Sequence, residues 1–288
     1  MKLAPLAIAA LCIGVAVLPT CSEQSVANGE TATAEAAQTG NDAAPLQAMI
    51  QGQWRDPKNV ARDVYRHPLE TLEFFGLKPD QTVVEITPAS GWYSEILAPY
   101  LRDKGHYVAA VVDPAAMAED RREGQQKSLD GLLEKYAAAP AQYDRTEVVK
   151  YDPAAPRFGA DASADLVLTF RNVHNWRSAG QAEGMFKGFF AVLKPGGTLG
   201  VVEHRAEADV PADDKSGYVG QAQVIAMAEA AGFTLDAQSE ANANPKDSKD
   251  HPNGVWTLPP VNRHDAADDA KYQAIGESDR MTLRFRKP

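Results

Sequence analysis

TVVEITPASGWYSEILAPYL, residues 82–101, reads as a strand, a tight turn and a helix in immediate succession. Thr82 to Ile86 is short, apolar and β-branched, and it carries one carboxylate, Glu85. Thr87-Pro88-Ala89-Ser90-Gly91 is a run of turn residues, and a helical pattern starts at Trp92. A strand that feeds a helix through a small-residue turn opens a doubly wound sheet, where ligands sit beyond the carboxyl end of the first strand. Such turns usually hold several glycines, whereas this one holds Gly91 alone. The stretch therefore suggests a ligand site and leaves its use open.

Outward from it, strands and helices alternate. The spacing predicts a helix over Asn59–Phe75, with Val60, Val64, Leu69, Leu72 and Phe75 as its apolar positions. Strands are expected at His106–Val112, Thr146–Tyr151, Asp165–Phe170, Thr198–Glu203, Phe233–Ser239 and Met281–Arg286. Helices are expected at Trp92–Leu101, at Ala115–Ala138 with Leu129, Leu132, Leu133 and Tyr136 as the stripe, at Gln181–Leu193 and at Tyr218–Ala231. Repeated alternation argues for a parallel sheet covered on both faces. The last two strands lack a long helix between them, which predicts antiparallel pairing at the C-terminal edge. The fold class is α/β: a Rossmann-like, doubly wound, seven-stranded sheet, mostly parallel, with an antiparallel strand at that edge.

The N-terminus speaks to compartment. Met1-Lys2 is followed by an apolar, alanine-rich run to Leu18, shorter than the ~20 residues a membrane-spanning helix needs, so residues 1–21 read as an export signal. Leu18-Pro19-Thr20-Cys21 resembles the lipobox of bacterial lipoproteins, with Thr20 the departure from it. Lipidation at Cys21 with attachment to a membrane, or ordinary cleavage to a soluble periplasmic product, are the two readings. The other cysteine, Cys12, lies within the apolar run, so the domain itself has no thiol chemistry or disulfide. Residues 22–45 are small and polar and read as a flexible tether, which leaves residues 46–288 as one domain. A formal net charge of -10 without a basic block argues against nucleic acid as a partner.

Several segments carry a resemblance: VVEITPASGWYSEILAPYL, HYVAAVVDP, DLVLTFRNVHNW, VLKPGGTLGVVEHRA, AEAAGF, NPKDSKDHPNGVWTLPP and IGESDRMTLRF. Through them the chain resembles the class I S-adenosylmethionine-dependent methyltransferases, and more narrowly exported bacterial proteins described as predicted methyltransferases. The resemblance runs from about Trp54 to the C-terminus. It implies S-adenosylmethionine as cofactor and a methyl acceptor of unknown class. It implies that Glu85 organises the cofactor turn, with Thr87, Ala89 and Gly91 at its glycine positions. Asp113 would accept from the ribose hydroxyls, Asp152 would meet the adenine amino group, and Phe170 with Arg171 would line the sulfonium side.

Bland readings stand beside these. Asp113 and Asp152 each precede a proline and suit a turn or cap. Trp92 and Tyr93 suit a core as well as a cofactor. A buried Glu85 costs several kcal/mol unless partnered, so it demands a polar environment. Arg171-Asn172-Val173-His174-Asn175-Trp176 follows a central strand, where Asn172 and His174 are catalytic candidates and Asn175 and Trp176 substrate-binding ones. His174 suits a general base or a loop-holding hydrogen bond. Glu203-His204-Arg205 closes the fifth strand. Alternation sends Glu203 and His204 to opposite faces, with His204 a second catalytic candidate and Glu203 a substrate-binding one. No Gly-x-Ser-x-Gly elbow exists for a serine hydrolase.

The excursion over residues 240–278 is long enough to be functional, and it reads as a flap over the substrate, with Asp247, His251 and Trp256 as contacts. Asp247, Asp250 and His251 form too loose a set for a metal site, and none is assigned. The reading is a methyltransferase of the bacterial envelope. The alternative is a non-catalytic ligand-binding or scaffold module on the same fold.

Overall fold

The computed structural model describes residues 45–288, so the export signal, Cys21 and the tether up to residue 44 lie outside the described residues. Strands β1 (Thr82–Ile86), β2 (His106–Val112), β3 (Glu147–Tyr151), β4 (Ala164–Phe170), β5 (Leu193–His204), β6 (Thr234–Ser239) and β7 (Arg280–Arg286) form one sheet. Their order is β3-β2-β1-β4-β5-β7-β6. The first five strands run parallel; β7 is antiparallel to both β5 and β6, inserting between them and leaving β6 at the edge. β1 and β4 sit centrally and are buried on both faces, which is why Val83, Val84 and Ile86 are all apolar, with Glu85 the one charged residue among them.

The helices are α1 (residues 45–50), α2 (Pro57–Val60), α3 (Asp63–Arg66), α4 (Pro68–Phe74), α5 (Ser94–Leu101), α6 (Glu119–Ala138), α7 (Pro140–Tyr143), α8 (Val173–Ser178), α9 (Ala182–Val192), α10 (Gln221–Ala230) and α11 (Asp269–Ile275). One face of the sheet packs against α8, α9 and α10 through Val84, Ile86, Val167, Trp176, Phe186 and Phe189. The other packs against α1, α4, α5 and α6 through Val83, Leu166, Leu168, Leu72, Leu97 and Leu132.

Element types follow the sequence closely, with one main departure. The single helix expected over Asn59–Phe75 is three short ones. His67 takes a left-handed conformation (φ 40°) before Pro68, whose ring disfavours helical backbone in the residue ahead of it. The break turns the apolar stripe outward: Val60 and Val64 are 42% and 67% exposed, while Arg66 is buried. Leu133, placed on the apolar stripe of α6, is likewise exposed.

Candidate functional site

The turn after β1 keeps the backbone of a glycine-rich loop without the glycines. Thr87, Ala89 and Gly91 all have positive φ, at 53°, 53° and 77°. Left-handed backbone costs an L-residue roughly 1–2 kcal/mol, most awkwardly when it is β-branched. Thr87 recovers part of that cost, because its Oγ1 lies 2.8 Å from the Tyr151 hydroxyl and its N–H donates to Ala110. Ala89 is exposed at the tip of the turn.

Glu85 is buried and accepts from the hydroxyl of Tyr107 on β2 at 2.6 Å and from Oγ of Ser94 on α5 at 3.3 Å. Ser94 in turn accepts from Tyr136. Burial raises the Glu85 carboxyl to about 7, against the pull of those hydrogen bonds and of Lys135. It is the polar centre behind the turn. Asp113 accepts from Ala115 N–H at 3.0 Å and Asp152 from Ala154 N–H at 2.8 Å, so each spends one carboxylate oxygen on a turn. Phe170 stacks on Tyr93 with ring centroids 3.6 Å apart, and both are buried in the core. Asn172 donates to Ile86 O and Thr169 Oγ1, tying the ends of β1 and β4 together. Trp176 packs on Phe189 in the core, and Asn175 is exposed at the rim of a cavity.

That cavity, of about 370 Å³, opens beside the carboxyl ends of β1, β4 and β5. Ala89, Ser90 and Trp92 from the turn, Arg171 and His174 from the β4 loop, and His204 from β5 contribute to its wall. Its electrostatics come from Arg62, Arg66, Arg171 and Arg280, set against the one carboxylate of Glu277. Arg62 Nε lies 2.6 Å and Arg66 Nε 3.3 Å from Glu277, and Arg280 forms a third, short ion pair with it. These three cations hold the Glu277 carboxyl far below the usual range despite its burial. Arg66 also lies over the Trp92 ring, 4.7 Å from its centroid.

Glu203 gathers both histidines. Its Oε1 accepts from His204 N–H at 2.7 Å and sits 3.0 Å from His174 Nδ1, while Oε2 accepts from His174 N–H at 3.2 Å. The expected separation of Glu203 from His204 is bridged because the carboxylate folds back onto its neighbour's amide. His174 and His204 rings lie 5.4 Å apart, and His204 Nδ1 is 2.5 Å from Ser278 Oγ. Burial, then His174 and the nearby arginines, push His204 well below its usual value, so it stays neutral. The donor atoms of His174, Glu203 and His204 fall within 4.8 Å of one another, but hydrogen bonds already engage most of them, and the adjacent guanidinium groups oppose a divalent cation. Arg205 is drawn elsewhere, to Asp279 and Glu240.

The excursion forms one wall of the cavity through Val255, Trp256 and Pro259 to Val261. Asp247 and His251 are not part of that wall. The Asp247 carboxylate is a buried hub: it takes both oxygens' share of the Tyr218 hydroxyl at 2.9 Å, accepts from Asp279 N–H at 2.7 Å and lies 2.8 Å from His251 Nε2. The pair pins the excursion to the start of β7. Asp250 is exposed and bonded to Ser248.

Sequence reasoning missed Arg62, Arg66, Glu277, Ser278 and Arg280. The only available signal was the four-residue spacing of Arg62 and Arg66, and charges so spaced usually mark a solvated helix face. Docking of residues 54–66 turns that face inward. Asn59 Nδ2 donates to the buried Glu95 at 2.9 Å, Arg55 pairs with Asp63 at 2.7 Å, and Trp92 Nε1 donates to Asn59 O at 3.0 Å.

No family model and no curated protein matches this chain. Solved structures do. A SAM-dependent methyltransferase from Aquifex aeolicus superposes with a TM-score of 0.53 at 16% identity, covering 86% of this chain and 99% of that one. The 4+2 cyclase SpnF superposes with a TM-score of 0.54 at 14% identity, covering 88% of this chain and 96% of its own. Identities this low carry the architecture and not the chemistry, as the cyclase illustrates. The chain has the fold of the class I S-adenosylmethionine-dependent methyltransferases.

Proposed function

We propose that the chain is an S-adenosylmethionine-dependent methyltransferase of the bacterial cell envelope. The observation that carries this reading is the turn after β1, where residues 87, 89 and 91 share left-handed backbone although two of them bear side chains. Strain of this kind is retained where a site needs the shape it gives. Asp113 fits the nucleoside as well, because its turn bond occupies Oδ1 and leaves Oδ2 to accept from ribose hydroxyls. The cavity beside the turn offers the sulfonium no free carboxylate, since Glu277 is shared among three arginines. The fit therefore rests on residues 87–91 and Asp113.

When bound, the cofactor supplies an electrophilic methyl group. The chain's own part is placement and proton transfer. Glu203 holds His174 at Nδ1, leaving Nε2 without a partner among the described residues and able to take the acceptor's proton. The neutral His204 beside it adds no charge to oppose that protonation. The flap wall around Trp256 covers one side of the cavity.

A non-catalytic binding module is the second reading, favoured by Thr87 and Ala89 themselves, whose side chains occupy space that glycine would leave to a ligand. Calorimetry of the full chain with S-adenosylmethionine and S-adenosylhomocysteine separates the two. Binding of both is expected; no heat at millimolar ligand from a folded protein sinks the methyltransferase reading. Envelope location rests on the sequence of residues 1–21. Labelled palmitate should enter the wild type and not Cys21→Ser, and equal labelling would remove the lipid anchor.

A further inference from the structure

We propose that the cavity walled by Trp256 is a binding site for a small dianionic oxyanion, a phosphate monoester or a dicarboxylate, gripped by Arg171, Arg66 and Arg280. The anion would be the charged group that holds the acceptor in the transfer reaction proposed above. The methyl would pass to a neutral nucleophilic atom elsewhere on that molecule as the carbon–sulfur bond breaks, with S-adenosylhomocysteine leaving and the nucleophile's proton going to His174 Nε2. That role rests on the methyltransferase reading, whereas the anion site rests on the arginines alone.

Arg171 is the key observation. It stands at the end of β4 in left-handed backbone (φ 59°), lines the cavity, and its guanidinium makes no hydrogen bond or ion pair among the described residues. Burial and the neighbouring Arg280 lower it to about 10, against the opposing pull of Glu277 and Tyr93. Arg280 adds a buried Nε with no hydrogen-bond partner. Arg66, buried against Trp92, offers Glu277 only a long 3.3 Å contact.

Four guanidinium groups thus line a cavity that holds one carboxylate, in a chain whose formal net charge is -10, so the positive cavity is no by-product of basic composition. Guanidinium forks match the paired oxygens of phosphate and carboxylate, and a cluster of them favours a doubly charged ligand. The volume of about 370 Å³ suits a small molecule, and Trp92, Val255, Trp256 and the proline pair offer apolar surface to the rest of it.

The test is thermal denaturation of the full chain, without cofactor and at constant ionic strength. The probes are inorganic phosphate, phenyl phosphate and succinate, with acetate and methionine as singly charged and zwitterionic controls. A rise of about 5 °C is expected at roughly a hundred times the dissociation constant for phenyl phosphate or succinate, and little for the controls. Which of the two dianions is the stronger identifies the ligand class. Arg171→Met should itself melt no lower than wild type, because the native guanidinium has no partner, and it should lose the anion-induced rise. No rise with any dianion, an equal rise with methionine, or an undiminished rise in Arg171→Met would overturn the proposal. The outcome is independent of cofactor binding: a rise with dianions but no heat with S-adenosylmethionine would leave the anion site standing and remove the methyltransferase reading.

Discussion

Glu203 Oε1 lies 3.0 Å from His174 Nδ1, and the same carboxylate accepts the backbone N–H groups of both His174 and His204. One fully buried side chain thus sets the orientation of one histidine and the position of the other. Glu203→Gln keeps a carbonyl acceptor but replaces the second oxygen with a donor. We expect a loss of about 1–3 kcal/mol in stability from the orphaned donors. Nitrogen NMR should show His174 as the Nδ1–H tautomer in the wild type and a mixture in the variant. An unchanged tautomer would dissociate Glu203 from the orientation of His174.

Glu85 makes a pH prediction of definite sign. Its folded-state value of about 7 exceeds the ordinary 4.5, so the folded state binds more protons between those two values. Its contribution favours folding below about pH 4.5 and is lost as pH rises toward 7. Glu85→Gln should remove this slope and gain stability relative to wild type across that window, by at most about 3 kcal/mol. Urea denaturation at pH 5 and pH 8 reads the difference, and parallel curves for the two proteins would place the Glu85 titration outside this range.

Ala89→Gly tests the strained turn. Removing Cβ relieves left-handed backbone worth roughly 1–2 kcal/mol, offset by the 0.5–1 kcal/mol of unfolded-state entropy that glycine adds. A net gain of up to about 1 kcal/mol is expected, together with tighter S-adenosylmethionine binding by calorimetry. Destabilisation would mean the alanine side chain contributes to the fold in a way its exposure does not suggest.

Asp113→Asn separates cap from ligand. Asparagine caps as well as aspartate, so the melting temperature should move little, while the charge facing the ribose hydroxyls is lost. A several-fold weaker affinity for S-adenosylhomocysteine is expected. Equal affinity would put the nucleoside somewhere other than the end of β2.

The first strands were legible because their apolar, β-branched runs are bounded by turn residues, and β1 and β2 occupy the expected residues. The histidine site was half legible. FRNVHNW and EHR end neighbouring parallel strands, so their proximity follows from topology, yet the alternation of side chains along β5 pointed Glu203 away from His204. Alternation fixes where a side chain leaves the backbone, not where a flexible carboxylate ends.

The sequence by itself determined the alternating α/β pattern, the turn after β1 and the polar loops at the carboxyl ends of β4 and β5, since local periodicity and turn chemistry are written in neighbouring residues. Only the tertiary structure decided the character of the cavity. Arg66 and Glu277 are 211 positions apart and meet because His67 and Pro68 break a helix and β7 inserts beside β5. Burial converts what would be a solvated charged face into a cluster of guanidinium groups. No local pattern encodes that step, because it depends on which distant surface covers them.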